Sequence, residues 1–228
     1  MRGIPRTVGL LWLAAALLLG QRQQVAIKAS EPEQPISFSH RFSLEQAGLS
    51  GPSSVAVDGS GDVVVVLPAA RQVAKLDPSG RLLWSLGPSD PVAGPAFSPV
   101  DVAVDGWGNV YITDPGKDRV LKLSPGGQFI DSLGADGQLQ DPASIAVDAA
   151  GNIYLAVASG GWVWKLDSSG RSVSDFSGAS LGDRTFAVAR DLAVDAAGSL
   201  YVADGVWDSV QQFDGDGNLV GKFETVTL

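Results

Sequence analysis

The sequence predicts an all-β protein built from repeated four-stranded antiparallel sheets. In residues 99–134, runs of about four to six β-branched and aromatic residues alternate with turns rich in Gly, Pro, Asn and Asp, which is typical of strands joined by tight turns. The pattern starts again at Pro52, Pro99, Pro142 and Ala189, at intervals of 47, 43 and 47 residues. A period of this length indicates a repeat architecture.

Within one repeat the elements follow in a fixed order. Residues 102–104, 110–113, 119–123 and 128–133 form the four predicted strands, and too few residues separate them to accommodate a helix. An aspartate ends each first strand and a glycine occupies each third turn, which predicts turn roles because aspartate accepts backbone N–H groups and glycine tolerates positive φ. These residues are Asp58, Asp105, Asp148 and Asp195, with Gly80, Gly127, Gly170 and Gly217.

The repeat resembles a known family. The pattern PxxVAVDxxGNVYxTDxxxxRVxKL is similar to the NHL repeat, over about residues 52–223, with departures at Val64, Trp162 and Gln212. One copy carries the whole motif in Val102, Ala103, Val104, Asp105, Gly108, Asn109, Tyr111, Asp114, Arg119 and Val120. The resemblance implies a β-propeller, usually of six blades. Four copies therefore predict either an open array or a truncated propeller, with the apolar faces of blades one and four left for water or a second chain.

The segment before the repeats differs in composition. Residues 1–29 combine early arginines with an apolar run at 8–19, which is shorter than a membrane span and predicts a secretory signal peptide, with an uncleaved anchor as the alternative. Residues 30–51 follow as a linker and an orphan strand at 36–42, before repeats at 52–98, 99–141, 142–188 and 189–228. The expected location is therefore secreted or periplasmic, with membrane contact only through an uncleaved signal segment.

Composition excludes several functions. The 228 residues carry a net charge of −9 and contain no cysteine, which removes thiolate catalysis and zinc–cysteine sites. His40 is the only histidine, so a multi-histidine zinc site cannot form. An acidic chain with scattered cations repels phosphate backbones, so we expect no nucleic-acid partner.

No catalytic, cofactor or metal residues are predicted. The sequence shows no Ser/His/Asp order and no phosphate-binding glycine loop. Residues 214–218, DGDGN, resemble the start of a calcium loop, but Asp214 and Gly217 occupy repeat positions of a hairpin turn.

A binding surface is predicted at one end of the blades. The first-to-second and third-to-fourth turns share one end, called here the first end, and are short and nearly identical. The second-to-third loops and the inter-blade connections share the opposite, second end, where length and chemistry vary. The candidate binding residues there are Trp207, Trp162, Asp114, Lys117, Asp204, Phe97 and Phe186, with the alternative that Asp114 only pairs with Arg119.

The sequence therefore favours an extracytoplasmic binding module without catalysis, for a protein or carbohydrate ligand. The alternative is a metal-dependent hydrolase or lyase, similar to propeller lactonases, with a site in the central channel. Trp84 and Trp164 fall inside strands and are expected to pack between blades.

Overall fold

The structure is a computed structural model that describes residues 49–134, 139–158, 162–177 and 188–224. The predicted signal peptide, the orphan strand with His40, and Phe186 lie outside the described residues. No described helix is long or apolar enough to cross a membrane.

The described residues form sixteen strands in four sheets, called here blades 1 to 4, each with its strands in sequence order. Blade 1 contains β1 (Ser54–Val57), β2 (Val63–Leu67), β3 (Gln72–Leu76) and β4 (Leu82–Leu86); blade 2 contains β5 (Val102–Val104), β6 (Val110–Asp114), β7 (Arg119–Leu123) and β8 (Phe129–Leu133). Blade 3 contains β9 (Pro142–Val147), β10 (Ile153–Val157), β11 (Trp162–Leu166) and β12 (Ser172–Ser177); blade 4 contains β13 (Ala189–Val194), β14 (Leu200–Asp204), β15 (Ser209–Phe213) and β16 (Leu219–Glu224). Short 3-10 turns at Pro68–Ala70 and Pro115–Lys117 join β2 to β3 and β6 to β7.

Every pairing is antiparallel, which confirms the predicted four-stranded meanders. The pairing of third and fourth strands shifts register at the same repeat position in all four blades, between the last two residues of β3, β7, β11 and β15. Such a bulge bends the strand and increases its twist, so each blade turns in the same way.

The first-end turns confirm the structural roles predicted for their aspartates. Asp105 Oδ1 accepts the backbone N–H groups of Trp107 at 2.9 Å and Asn109 at 2.8 Å, while Gly108 has φ of 82°. Residues 214–218 form the same kind of turn, because Asp214 Oδ1 accepts the N–H groups of Asp216 and Asn218. Hydrogen bonds from the Asn218 side chain and backbone lower the pKa of Asp214, so its carboxylate serves the turn.

Apolar side chains fill the space between consecutive blades. The leading face of a blade packs against the preceding blade, and in blade 2 it includes Val102, Ile112 and Leu121. The trailing face packs against the following blade, and in blade 2 it includes Tyr111 and Val120. Trp84 and Trp164 pack against these clusters as predicted, between blades 1 and 2 and blades 2 and 3 respectively.

The outermost faces differ from the faces between blades. On the trailing face of blade 4, Val210 and Phe223 are exposed. On the leading face of blade 1, Val55 and Val57 are more than half exposed, whereas Leu67 and Leu76 are buried. The expectation of exposed faces therefore holds for blade 4, and for blade 1 only along its first strand.

Candidate functional site

Two of the predicted binding residues are completely inaccessible to solvent. Asp114 is fully buried; its Oδ2 accepts Arg119 Nε at 2.9 Å, and its Oδ1 accepts the N–H of Ser98 at 2.9 Å. Phe97 is also fully buried, in the cluster between blades 1 and 2. Asp114 therefore pairs within its blade, which was the stated alternative. Phe97 lacks the exposure that a contact residue needs.

The connection between blades 1 and 2 explains this burial. Arg119 Nη2 donates to the carbonyls of Val92 at 3.0 Å and Ala93 at 3.1 Å, and Arg71 Nε donates to the carbonyl of Phe97 at 2.8 Å. Two guanidinium groups thus bind the connection to the blades, because a planar fork of donors matches free backbone carbonyls. The connection acts as a packed part of the scaffold.

Asp204 occupies the position in blade 4 that Asp114 occupies in blade 2. Asp204 is buried, and its Oδ1 accepts the backbone N–H groups of Val206 at 2.8 Å and Trp207 at 3.3 Å. It therefore shapes the β14–β15 loop and presents Trp207, which is 37% exposed.

Three predicted residues are accessible at the second end. Lys117 is exposed in the β6–β7 turn, and Trp162, at the start of β11, is 45% exposed. The indole of Trp207 lies 5.7 Å from Lys222 Nζ, a cation–π distance. These side chains belong to three different blades, and among the described residues no hydrogen bond, ion pair or cation–π contact joins them.

A cavity of about 800 Å³ opens where the first strands begin, at the second end. Its lining includes Ser54, Asp101, Ser144 and Asp191, one from each blade, together with Arg190. Strands β1, β5, β9 and β13 contact one another in that order, so the second residue after each repeat start faces the same space. The repeat thus concentrates four polar side chains at one place.

These four side chains form one hydrogen-bonded network across the blades. Ser54 Oγ donates to Asp101 Oδ1 at 2.6 Å. Ser144 Oγ lies 2.9 Å from Asp101 Oδ2 and 3.1 Å from Asp191 Oδ1. The N–H of Ile145 donates to Asp101 Oδ2 at 2.9 Å, so the network also links the backbone of blade 3 to blade 2.

Among the described residues, no cation forms an ion pair with the two carboxylates of this network, Asp101 and Asp191. Arg190 also has no ion-pair partner there, and its side chain lies against Gly205, where an added Cβ would collide with it. The cavity therefore carries two carboxylates and, beside them, one guanidinium.

This cavity was not predicted from the sequence. The signal was present in the repeat alignment, since serine and aspartate alternate two positions after Pro52, Pro99, Pro142 and Ala189. Single serines and aspartates at strand starts are common, and only the packing of four first strands brings them together. Among the described residues no group of three or more His, Cys, Asp or Glu side chains could hold a metal ion.

No protein-family model matches the chain, and no curated protein sequence matches it. Solved structures do match its fold. Streptogramin B lyase superimposes with a TM-score of 0.58 at 20% identity, covering 77% of this chain and 55% of the lyase. Virginiamycin B lyase from Staphylococcus aureus gives a TM-score of 0.60 at 14% identity, covering 78% of this chain and 56% of the lyase.

A third match comes from a nidogen/laminin complex, with a TM-score of 0.52 at 17% identity, covering 76% of this chain and 80% of the matched chain. At these identities the matches show the fold alone, which is a β-propeller. The chain spans about half the length of the two lyases.

Proposed function

We propose that the chain is an extracytoplasmic propeller of NHL type that binds a protein or carbohydrate ligand at its second end, without catalysis. The observation that carries the proposal is the cavity of about 800 Å³ lined by Ser54, Asp101, Ser144 and Asp191. Ligand sites in proteins are concave, of about 300–1,000 Å³, and contain a few converging polar groups.

The surroundings of the cavity support this proposal. Trp162 and Trp207 are exposed at the same end of the blades, and exposed aromatic residues are common anchors in binding surfaces. The first end offers Trp107, which is 64% exposed, but that ring packs against Gly151 of the next blade. The nidogen/laminin match also indicates that a propeller of this fold can take part in a protein complex.

A binding screen with paired variants tests the proposal. The fluorescently labelled full chain is applied to peptide and glycan arrays, and the captured ligands are titrated against Trp162→Ala, Trp207→Ala and Trp107→Ala. We expect a loss of affinity of about tenfold or more in at least one second-end variant, because one anchoring aromatic residue contributes that much. We expect no change in Trp107→Ala. A loss of affinity in Trp107→Ala alone would place the binding site at the first end and refute the proposal.

The same purified chain separates binding from metal-dependent catalysis. The alternative hydrolase or lyase needs a stoichiometric metal, so its thermal midpoint would rise with calcium and fall with EDTA. A binding module without a resident metal keeps the same midpoint in both. A metal found at a molar ratio near one by elemental analysis would favour the enzyme.

Export is tested separately. Intact mass and N-terminal sequencing of the extracytoplasmic protein should show a chain that lacks residues 1–29. Full-length protein recovered from the cytoplasm alone would contradict the proposed location.

A further inference from the structure

We propose that the cavity at the second end takes an organic ammonium group, bound by Asp101 and Asp191 beside Ser144. The proposal rests on the proposed function, because it names the ligand class of that same site. The shared chemistry is a primary amine, which a lysine side chain of a peptide or a free polyamine would supply.

The hydrogen-bonded network of the cavity has fewer hydrogens than it has oxygen–oxygen contacts. Ser144 Oγ has one hydrogen, yet it contacts Asp101 Oδ2 at 2.9 Å and Asp191 Oδ1 at 3.1 Å. It also accepts the N–H of Leu192 at 3.2 Å. With its single hydrogen it can donate to only one of the two carboxylates. The other carboxylate faces an oxygen with no hydrogen between them. Each of the two carboxylate oxygens already accepts one backbone N–H, Asp101 Oδ2 from Ile145 and Asp191 Oδ1 from Leu192. A ligand N–H donor would relieve the remaining contact between two oxygens.

Asp191 also offers acceptor capacity within reach of solvent. Asp191 is exposed, and its Oδ2 accepts no hydrogen bond from the described residues, whereas its Oδ1 accepts the N–H of Leu192 at 3.0 Å. An ammonium group has three donors and no acceptor, which matches a site with surplus acceptors. A neutral hydroxyl would bring an additional acceptor with each donor and would match less well.

The charge of the cavity also favours an ammonium ligand. Two carboxylates with little exposure form ion pairs, Asp58 with Lys75 at 2.7 Å and Asp114 with Arg119 at 2.9 Å. The buried Asp105 and Asp148 form none among the described residues and accept turn N–H groups instead. Asp101 and Asp191 have no such pair among the described residues, in a chain of net charge −9. A concave site with one sign of charge raises the local concentration of ions of the opposite sign.

Arg190 makes the proposal testable in two directions. It lines the same cavity as Asp191, and its guanidinium would repel a bound ammonium. Neutralising Arg190 should therefore strengthen binding of a cation, and neutralising the adjacent Asp191 should weaken it. A site for an anion would show the reverse of both effects.

Titration by NMR of the full chain provides the test. The probe is Nα-acetyl-lysine methylamide, its neutral counterpart is Nα-acetyl-norleucine methylamide, and spermidine represents free polyamines. We expect the lysine probe to shift the backbone amide signals of Val102, Ile145 and Leu192, which bond to the network, while the norleucine probe leaves them unchanged. Spermidine bound more tightly than the lysine probe would identify a polyamine as the source, and the reverse order a peptide.

The variants are chosen to keep the fold. Asp191→Asn retains the shape of an exposed side chain and should weaken the lysine probe about tenfold, as expected when a charged hydrogen bond is lost. Arg190→Gln should strengthen it by about twofold to fivefold, the range for one exposed charge. Asp216→Asn removes an exposed carboxylate at the first end and serves as the matched control, with affinity unchanged.

Three results would overturn the proposal: equal binding of the lysine and norleucine probes, affinity unchanged in Asp191→Asn, or no shift at the cavity amides. Failure here is distinct from failure of the proposed function. If array ligands still depend on Trp162 or Trp207 while the amine probes do not bind, the second end binds ligand and only the ligand class is wrong.

Discussion

Blades 2 and 4 have the same local structure around one tyrosine but bury that tyrosine to different extents. Tyr111 in blade 2 donates from its hydroxyl to Asp105 Oδ2 at 3.1 Å, and Tyr201 in blade 4 donates to Asp195 Oδ2 at 3.1 Å. Yet Tyr111 is fully buried, as is Tyr154 in blade 3, whereas Tyr201 remains partly exposed.

The difference comes from the neighbouring blade. The ring of Tyr111 lies in one cluster with Ile145 and Ile153 from the leading face of blade 3. No described blade covers the trailing face that carries Tyr201. The strand, the turn and the hydrogen bond are thus specified within one repeat, while burial, and the stability that follows from it, is a property of two repeats together.

The largest effect expected from this comparison is on stability. Tyr111→Ala should lower the free energy of unfolding by about 3–5 kcal/mol, because it leaves a cavity between two packed blades. Tyr201→Ala should cost about 1–2 kcal/mol, since water already reaches its ring. Urea unfolding of both variants measures the difference. Equal losses would show that the trailing face of blade 4 is covered in solution.

Alkaline pH should reveal the same difference. Burial, the charge of Asp148 and the hydrogen bond to Asp148 raise the pKa of Tyr154 from 10.0 to about 12. Burial, Asp105 and the same kind of hydrogen bond raise the pKa of Tyr111 as well. Because both folded pKa values are raised, the stability from each neutral phenol is fully present below pH 10. For Tyr154 it is lost as the pH rises towards about 12.

The rise in the pKa of Tyr154 from 10.0 to about 12 corresponds to about 3 kcal/mol of folding stability. Spectrophotometric titration can follow the ionisation of each phenol, because the chain has only three tyrosines. Tyr201 should ionise first, because its ring is partly hydrated, and Tyr111 and Tyr154 should ionise together with unfolding. Substituting Tyr201→Phe should remove only the early step. A single step containing all three tyrosines would contradict the difference between the blades.

The fold could be predicted from the sequence because its signals are local. The strand runs, the aspartate turns and the glycines with positive φ each depend on residues close together in the chain, as in the turn that contains Asp105 and Gly108. The repeat period then placed equivalent residues in all four blades. Burial at Phe97 was missed, because it depends on how the guanidinium groups of Arg71 and Arg119 bind a long connection.

The candidate site could be predicted only in part. Variation among the second-end loops indicated that end, and Trp162, Trp207 and Lys117 are exposed there. The hydrogen-bonded network of the cavity was missed because its members are about 43–47 residues apart in sequence. They come within hydrogen-bonding distance only when the first strands of the four blades pack together. Asp114 and Asp204 were predicted to bind a ligand but have structural partners instead. Asp114 pairs with Arg119, and Asp204 accepts backbone N–H groups of its own loop.

The smallest expected effect concerns a lysine that links neighbouring blades. Lys75, Lys122 and Lys165 occupy one repeat position, and each donates to a carbonyl in a first-end turn of the next blade, at Pro125, Ser168 and Gly215 respectively. Lys122 Nζ also lies 5.1 Å from the centre of the Tyr111 ring. In blade 4 the same position is Gln212, which pairs with Tyr201 across the strands.

Lys122→Gln should therefore lower the free energy of unfolding by about 1 kcal/mol, the sum expected for one partly exposed hydrogen bond and a weak cation–π contact. The reverse change, Gln212→Lys, should leave stability within about 0.5 kcal/mol, because no described blade offers a carbonyl to a lysine there. Urea unfolding midpoints of the two variants and of the unchanged chain measure these differences in stability. A clear gain in stability in Gln212→Lys would show that the new ammonium finds a carbonyl partner beyond blade 4. The trailing face of blade 4 would then be covered, which would contradict the difference drawn from Tyr111 and Tyr201.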